Sequence, residues 1–403
     1  MAASPEMAVR TLLKNAFCLD FARNAFLPKD LLIEDERMVQ VGLPMEGSSC
    51  DVSIDLGGYY VLPGLIDLHV HLSWDGSVDP TESLARETRE MTLLRMVHHA
   101  RQTVLSGITT VRDLGAVDDL SLALSSAIEK GFIIGPRVVA AGKSLIMTGG
   151  HDPFWGVPVD GPWEAIKAVR TQVDKGAKVI KVSATGGVYG RREGEEVGQS
   201  ELTRDELEAI CKEAHRLGLR VASHALGREG VENSVLAGCD TIEHGIFATD
   251  AILNRMAEQG TFLTPTLFTY RNIAEGNAPD YAKKKAQEVV EQLCRCFVAA
   301  RQKGVKISAG SDAGSPELPH PSLLLEMKEM VSLGISPLEA IRTATLGNAE
   351  ALGMEVLIGS IEEGKLADLL ILQEDPTEEL GRLKDVWGVV KHGMFIKHGE
   401  RRV

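Results

Sequence analysis

Through the middle of this chain, a short run rich in β-branched residues gives way to a loop bearing Gly or His. An amphipathic helical stretch follows, and the cycle then repeats. The candidate strands are LIDLHVHL, TTVRDLG, RVVAAGKSL, VIKVSATGG, RVASHAL, TIEHGI, TFLTPTLF and KISAGSDAG, eight in all. Helical stretches lie between them: LARETREMTLLRMVHHARQTVLSG before the second, LTRDELEAICKEAHRLG before the fifth and DYAKKKAQEVVEQLCRCFVAARQKG before the eighth. Thr203 and Glu206 have capping-box spacing. Eight parallel βα units of this size close readily into a barrel, so the expected fold class is α/β, a (β/α)8 TIM barrel.

The two ends of the chain read differently. LLIEDERMVQVGLP and CDVSIDLGGYYVLPG near the start, and GKLADLLILQ and VWGVVKHGMFIKHGERRV near the finish, are strand-like pieces cut by turn-forming Gly, Pro and Asp. Each end is too small to enclose a core, so the two are expected to pair. Residues 1–62 with 358–403 would form a small β-sandwich domain, and residues 63–357 the barrel. No tandem repeat beyond the alternation and no low-complexity tract is evident.

At 403 residues with 44% hydrophobic content the chain can bury one large core. Its formal net charge of -14 argues against nucleic acid as a partner, because that contact relies on cations neutralising phosphates. A small-molecule substrate is expected instead, with a homo-oligomer as the assembly. The six cysteines are scattered, without C-x-x-C spacing, and are expected to be reduced and mostly buried. The N-terminal stretch lacks a signal-like apolar segment, and no apolar run approaches membrane length, so a cytoplasmic location without membrane contact is expected.

The chemistry starts at His69-Val70-His71, which closes the apolar run LPGLIDLHVHL. Residues two apart on a strand point the same way, so both imidazoles face one point at the barrel rim and suit a Zn-type cation. His224 ends RVASHAL, His244 ends TIEHG and Asp312 sits in SAGSDAG, which places three further metal-competent groups at equivalent positions. Lys181 in VIKVSATGG cannot bind metal as an ammonium. Buried beside cations it is driven to the neutral amine, which can take up carbon dioxide as a carbamate.

These residues in this order, with the C-terminal GSIEEGKLADLLIL segment, resemble the amidohydrolase superfamily over essentially the whole chain. LPGLIDLHVH, TTVRDLG, TGGHD and IKVSATGGV are similar to its imidazolonepropionase-like and prolidase-like branch, whose members cleave dipeptides and N-acyl amino acids. The resemblance implies two divalent metals, expected to be zinc. One would take His69, His71 and Asp312, and the other His224 and His244, with N6-carboxylated Lys181 and a hydroxide bridging them. It also implies Asp312 as general base and His151 as the group that binds or polarises the substrate carbonyl. Leu226 stands where peptidase-like relatives carry a substrate-binding tyrosine. Replacement contacts are therefore expected from Tyr189, Arg191, Arg192 or Tyr270, with His320 a further candidate for the pocket lining.

The expected reaction is metal-dependent hydrolysis of an amide, in a dipeptide or an N-acyl amino acid. The same centre would also suit a cyclic amide, carbamate, ester or lactone. A catalytically silent metal-binding scaffold is the non-enzymatic alternative, which retention of Asp312 disfavours. His98, His99, His215, His392 and His398 read as structural residues away from the rim.

Overall fold

The computed structural model describes residues 9–42, 45, 49–190, 195–399 and 401–402. Eight parallel strands occupy the expected segments: β1 Leu65–Val70, β2 Ile108–Asp113, β3 Arg137–Ala140, β4 Ile180–Ser183, β5 Val221–Ala225, β6 Thr241–His244, β7 Phe262–Thr264 and β8 Lys306–Ile307. They form two sheets rather than one uninterrupted ladder. β1, β2 and β3 make a three-stranded sheet, while β4 to β8 continue a seven-stranded sheet begun by Gly156–Pro158 and Ser144–Ile146. Lys178 N–H donates to the Ala140 carbonyl at 2.9 Å, next to β3 and β4. Beside β1, Leu68 N–H donates to Ala309 at 3.0 Å and Asp312 N–H to His69 at 2.7 Å.

Several strands are shorter than the sequence suggests, for local reasons. TFLTPTLF stops at Thr264 because Pro265 has no N–H for the ladder; a helix, Leu267–Glu275, follows at once. The Leu267 and Phe268 amides, orphaned at that helix start, donate to the buried carboxylate of Glu326 at 2.9 and 2.8 Å. RVVAAGKSL breaks into β3 and Ser144–Ile146 around Gly142, whose φ is +71°. LARETREMTLLRMVHHARQTVLSG is two helices, Pro80–Arg86 and Arg89–Leu105. Glu87 is extended between them, and Thr88 caps the second by accepting the Met91 N–H at 3.3 Å. The Thr203–Glu206 capping box opens the helix Arg204–Arg216 as its spacing predicts.

The chain gathers into two compact units. The larger comprises residues 67–103 and 110–335. Its strands and helices bury an aliphatic cluster that includes Leu145, Ile180, Val182, Val221, Ile242 and Leu263. Such strands read as near-continuous apolar runs because parallel strands covered by helices are buried on both faces. The smaller unit takes residues 1–66, 104–109 and 336–403. Its mixed sheet has nine strands, and Tyr60–Pro63 pairs with both Arg10–Asp20 and Leu369–Leu372, so the two chain ends share it. Leu13, Leu31, Ile33, Val61, Leu369 and Ile371 are among its buried residues. No helix among the described residues is long and apolar enough to cross a membrane.

Candidate metal centre

Along β1 and the residue that follows it, the period of two brings Asp67, His69 and His71 to one side, and all three are buried. Asp67 accepts from the Ser311 N–H at 2.9 Å and the Ser311 hydroxyl at 2.6 Å, which ties β1 to the segment carrying Asp312. Asp312 lies beyond the regular part of β8, with φ +54°. Its Oδ1 stands 3.7 Å from His69 Nε2 and 3.5 Å from His71 Nε2.

Lys181 and His224 project from β4 and β5, whose register pairs Lys181 with Ala222 and Ser183 with His224. In β6, Glu243 and His244 are neighbours and would ordinarily point to opposite faces. A left-handed backbone at His244, φ +71°, turns its ring back so that both residues face inward. The rings then run as a chain: His71 to His69 at 5.3 Å, His69 to His244 at 5.2 Å, His244 to His224 at 4.8 Å and His224 to His151 at 4.2 Å. One pocket is lined by His69, His71, His151, Lys181, His224, His244 and Asp312.

Hydrogen bonds choose which ring nitrogen stays available. His69 Nδ1 donates to Glu243 at 2.9 Å and His71 Nδ1 to the Gly115 carbonyl at 3.2 Å, while His244 Nδ1 meets the Thr266 hydroxyl at 2.7 Å. The acceptors on His69 and His71 leave their Nε2 lone pairs for the pocket, the usual way a protein orients ligating histidines. Burial pushes His69, His224 and His244 well below the usual imidazole range and His71 down to about 4, so all four are neutral. Burial also lowers the Lys181 amine, against the carboxylates of Glu243, Asp152 and Asp312. It lifts the Asp312 carboxyl to about 7, although Lys181 opposes the rise.

These residues fit divalent metal. One ligand atom from each of His69, His71 and Asp312 lies within 4.8 Å of the others, all three buried. His224 Nε2 is buried with no hydrogen-bond partner, a costly state that a cation relieves.

Sequence reasoning missed the layer behind these side chains. Arg112, only 1% exposed, donates to the Leu68 carbonyl at 2.6 Å, to Thr241 at 2.9 Å and to Glu243 at 2.7 Å. Glu243 thus joins His69 to a buried guanidinium; removing one partner of such a pair costs about 3–5 kcal/mol. A charge within an otherwise apolar strand, as in TTVRDLG and TIEHG, was the signal available. Asp152 was also missed. It lines the pocket beside His151, accepts from Ser183 at 2.9 Å and is held below the usual carboxylate range by His151 and Lys181 in spite of burial.

The remaining expected contacts divide. Tyr189 and Tyr270 line the pocket with Trp74, Val188 and Ile273. The Tyr189 hydroxyl is already engaged, donating to Asp79 at 2.6 Å, so its ring is the part offered to a ligand. His320 does not line the pocket: its Nε2 donates to the His71 carbonyl at 3.2 Å from behind, because its ring packs at 4.7 Å on His99. His99 in turn donates to the Leu72 carbonyl at 3.0 Å, which brings it nearer the site than its helical position suggested. Arg191 and Arg192 lie outside the described residues.

Residues 60–396 match the amidohydrolase family. The ochratoxinase of Aspergillus niger is 29% identical over 352 residues, covering 79% of this chain and 71% of that protein. A solved Xaa-Pro dipeptidase with bound methionine is 32% identical with a TM-score of 0.89, over 96% of this chain and all (100%) of that one. A prolidase complexed with N-methylphosphonate-L-proline is 30% identical with a TM-score of 0.88, over 97% and 100%. The chain belongs to the amidohydrolase family. It is a metal-dependent hydrolase acting on carbon–nitrogen bonds.

Proposed function

We propose that this enzyme hydrolyses the amide bond of a dipeptide or an N-acyl amino acid carrying an apolar flank. The carrying observation is the pocket itself. Its lining combines ligand-competent side chains with Trp74, Val188, Tyr189, Tyr270 and Ile273, and Trp74 and Tyr270 pack against His71 and His244 at 5.1 and 5.3 Å. Likeness to the Xaa-Pro dipeptidase at 32% identity supports the same substrate class.

His69, His71 and Asp312 would hold one divalent ion and His224 and His244 a second, and Lys181 as its N6-carbamate would supply further oxygen donors; zinc suits these nitrogen and oxygen donors. When bound, such ions would polarise a scissile carbonyl and lower the pKa of a coordinated water. Asp312 is the general base: it takes the proton of the attacking water and passes it to the leaving nitrogen. His151 is the second polar group at the reacting carbonyl. Burial opposes its charge, but Asp152, Glu195 and Glu201 together lift it to about 9, so it is a cationic donor at neutral pH. The apolar lining grips the substrate flank and keeps bulk water away.

The same reading takes β1 to β8 as one closed (β/α)8 barrel. Residues 63–357 would form the hydrolase domain, and 1–62 with 358–403 a sandwich-like small domain. It further takes the assembly as a homo-oligomer and the substrate as a small molecule. The six cysteines, all free, support a reducing, cytoplasmic setting.

A substrate panel tests the proposal. Zinc-loaded enzyme is expected to turn over dipeptides and N-acyl amino acids with apolar side chains, to lose that activity to a chelator and to recover it with zinc. Rapid turnover of lactones, esters, carbamates or cyclic amides, with no cleavage of linear amides, would transfer the assignment to those bonds.

A further inference from the structure

His151 is held by more than its own loop. Its Nδ1 lies 2.6 Å from Glu195 Oε1, and that same oxygen accepts the Gly187 N–H at 2.9 Å. The other oxygen of Glu195 accepts from Lys285 Nζ at 3.0 Å, and Lys285 also donates to the Gly187 carbonyl at 3.3 Å. Glu195 is 8% exposed and does not line the pocket, so substrate does not meet it directly.

The surroundings are built to keep this contact. A Cβ on Gly187 would stand 2.3 Å from His151 Cε1, so only glycine lets the backbone close over the imidazole face. The backbone enters and leaves this region through paired glycines: Gly198 N–H donates to Gly186 at 3.0 Å, and Gly186 N–H donates to Gln199 at 2.9 Å. The helix Asp280–Gln302 approaches from the other side. Lys285 and Tyr281 lie one turn apart on it, and the Tyr281 hydroxyl accepts the Gly190 N–H at 3.3 Å. His151 is fixed at its main chain too, where its N–H donates to Glu201 at 2.8 Å.

We propose that Glu195, locked by Lys285, is the positioning residue for His151. Glu195 fixes Nδ1–H as the donor on one edge of the ring and so presents Nε2 on the other edge, where Asp152 lies at 3.4 Å and the pocket opens. Lys285 supplies the countercharge that keeps a buried carboxylate in place, and it reaches the site only because its helix packs there. This rests on the reading of His151 as the group at the substrate carbonyl. An outer carboxylate of this sort tunes the ring it holds, and its loss reads out in turnover rather than in binding.

Four variants of the zinc-loaded enzyme test it: Glu195→Gln, Lys285→Met, the two combined, and His151→Phe. They are assayed on the best amide substrate, with metal content and melting temperature recorded. Glu195→Gln is expected to lower kcat by about 10–100-fold with KM within about threefold and metal content unchanged. Lys285→Met should lower kcat several-fold. The double variant should be no worse than Glu195→Gln, because both changes break one linkage and the Gln amide no longer faces an ammonium. Wild-type kcat in Glu195→Gln, a loss confined to KM or to melting temperature, or multiplying losses in the double variant would each overturn the role of Glu195. If Glu195→Gln does not fold, an unchanged kcat in Lys285→Met overturns that role equally. His151→Phe separates the two levels: wild-type kcat there removes the reading of His151 itself, whereas an inactive His151→Phe beside a fully active Glu195→Gln removes only the inference.

Discussion

Replacing Asp312 by Asn should cut kcat by on the order of 10^3-fold while most of the metal stays bound, as removal of a general base does. The amide keeps one oxygen facing His69 and His71, whose Nε2 atoms stand 3.7 and 3.5 Å from the carboxylate, so a ligand remains on that side. What disappears is the ability to accept a proton from water and return it to nitrogen. Metal content and kcat measured on the same preparation decide the matter. Metal loss in proportion to activity would leave Asp312 a ligand and nothing more.

The second large effect is expected at Lys181. Lys181→Ala removes the group proposed to join the two ions, so metal content should fall from about two per chain towards one, and kcat by about 10^3-fold or more. That corresponds to the several kcal/mol of charge stabilisation that metal centres supply. Short carboxylic acids, such as acetate or propionate, should restore part of both, since each offers the pair of oxygens that a carbamate would place there. The surroundings favour this chemistry: burial lowers the Lys181 amine towards the neutral nucleophile that carbon dioxide requires. A variant with full metal content and no response to added acids would count against the carbamate.

Most of the ionisable side chains that line the pocket were legible in the sequence because two rules act on strand residues. A strand alternates its faces, and the carboxyl ends of parallel strands face the working rim, so His69, His71 and His224 could be read from strand ends, whereas Lys181, the second residue of β4, was read as an inward-facing lysine whose part came with the family resemblance. His244 and Asp312 were found by the same logic although their geometry departs from it. Both adopt left-handed backbone, at φ +71° and +54°, which nothing in the pattern TIEHG or GSDAG required. Glu243 and Arg112 escaped because a charge inside an apolar strand declares burial but not its partner: here the partners, Leu68, Thr241 and His69, come from elements far apart in the chain. Asp152 and Glu195 escaped for another reason, since loops carry no period and their side-chain directions follow only from the tertiary arrangement. The strands themselves were placed well, but their ends were set by Pro265, Gly142 and the start of the helix at Leu267, which local chemistry decides more finely than hydrophobic patterning.

Anomalous X-ray scattering from a crystal of active, zinc-loaded enzyme probes the proposed cage for two ions without relying on turnover. Two peaks are expected, one in contact with His69, His71 and Asp312 and one with His224 and His244, with density continuing from Lys181 Nζ to both. A single peak elsewhere in the molecule, or none in a preparation that hydrolyses its substrate, would contradict it.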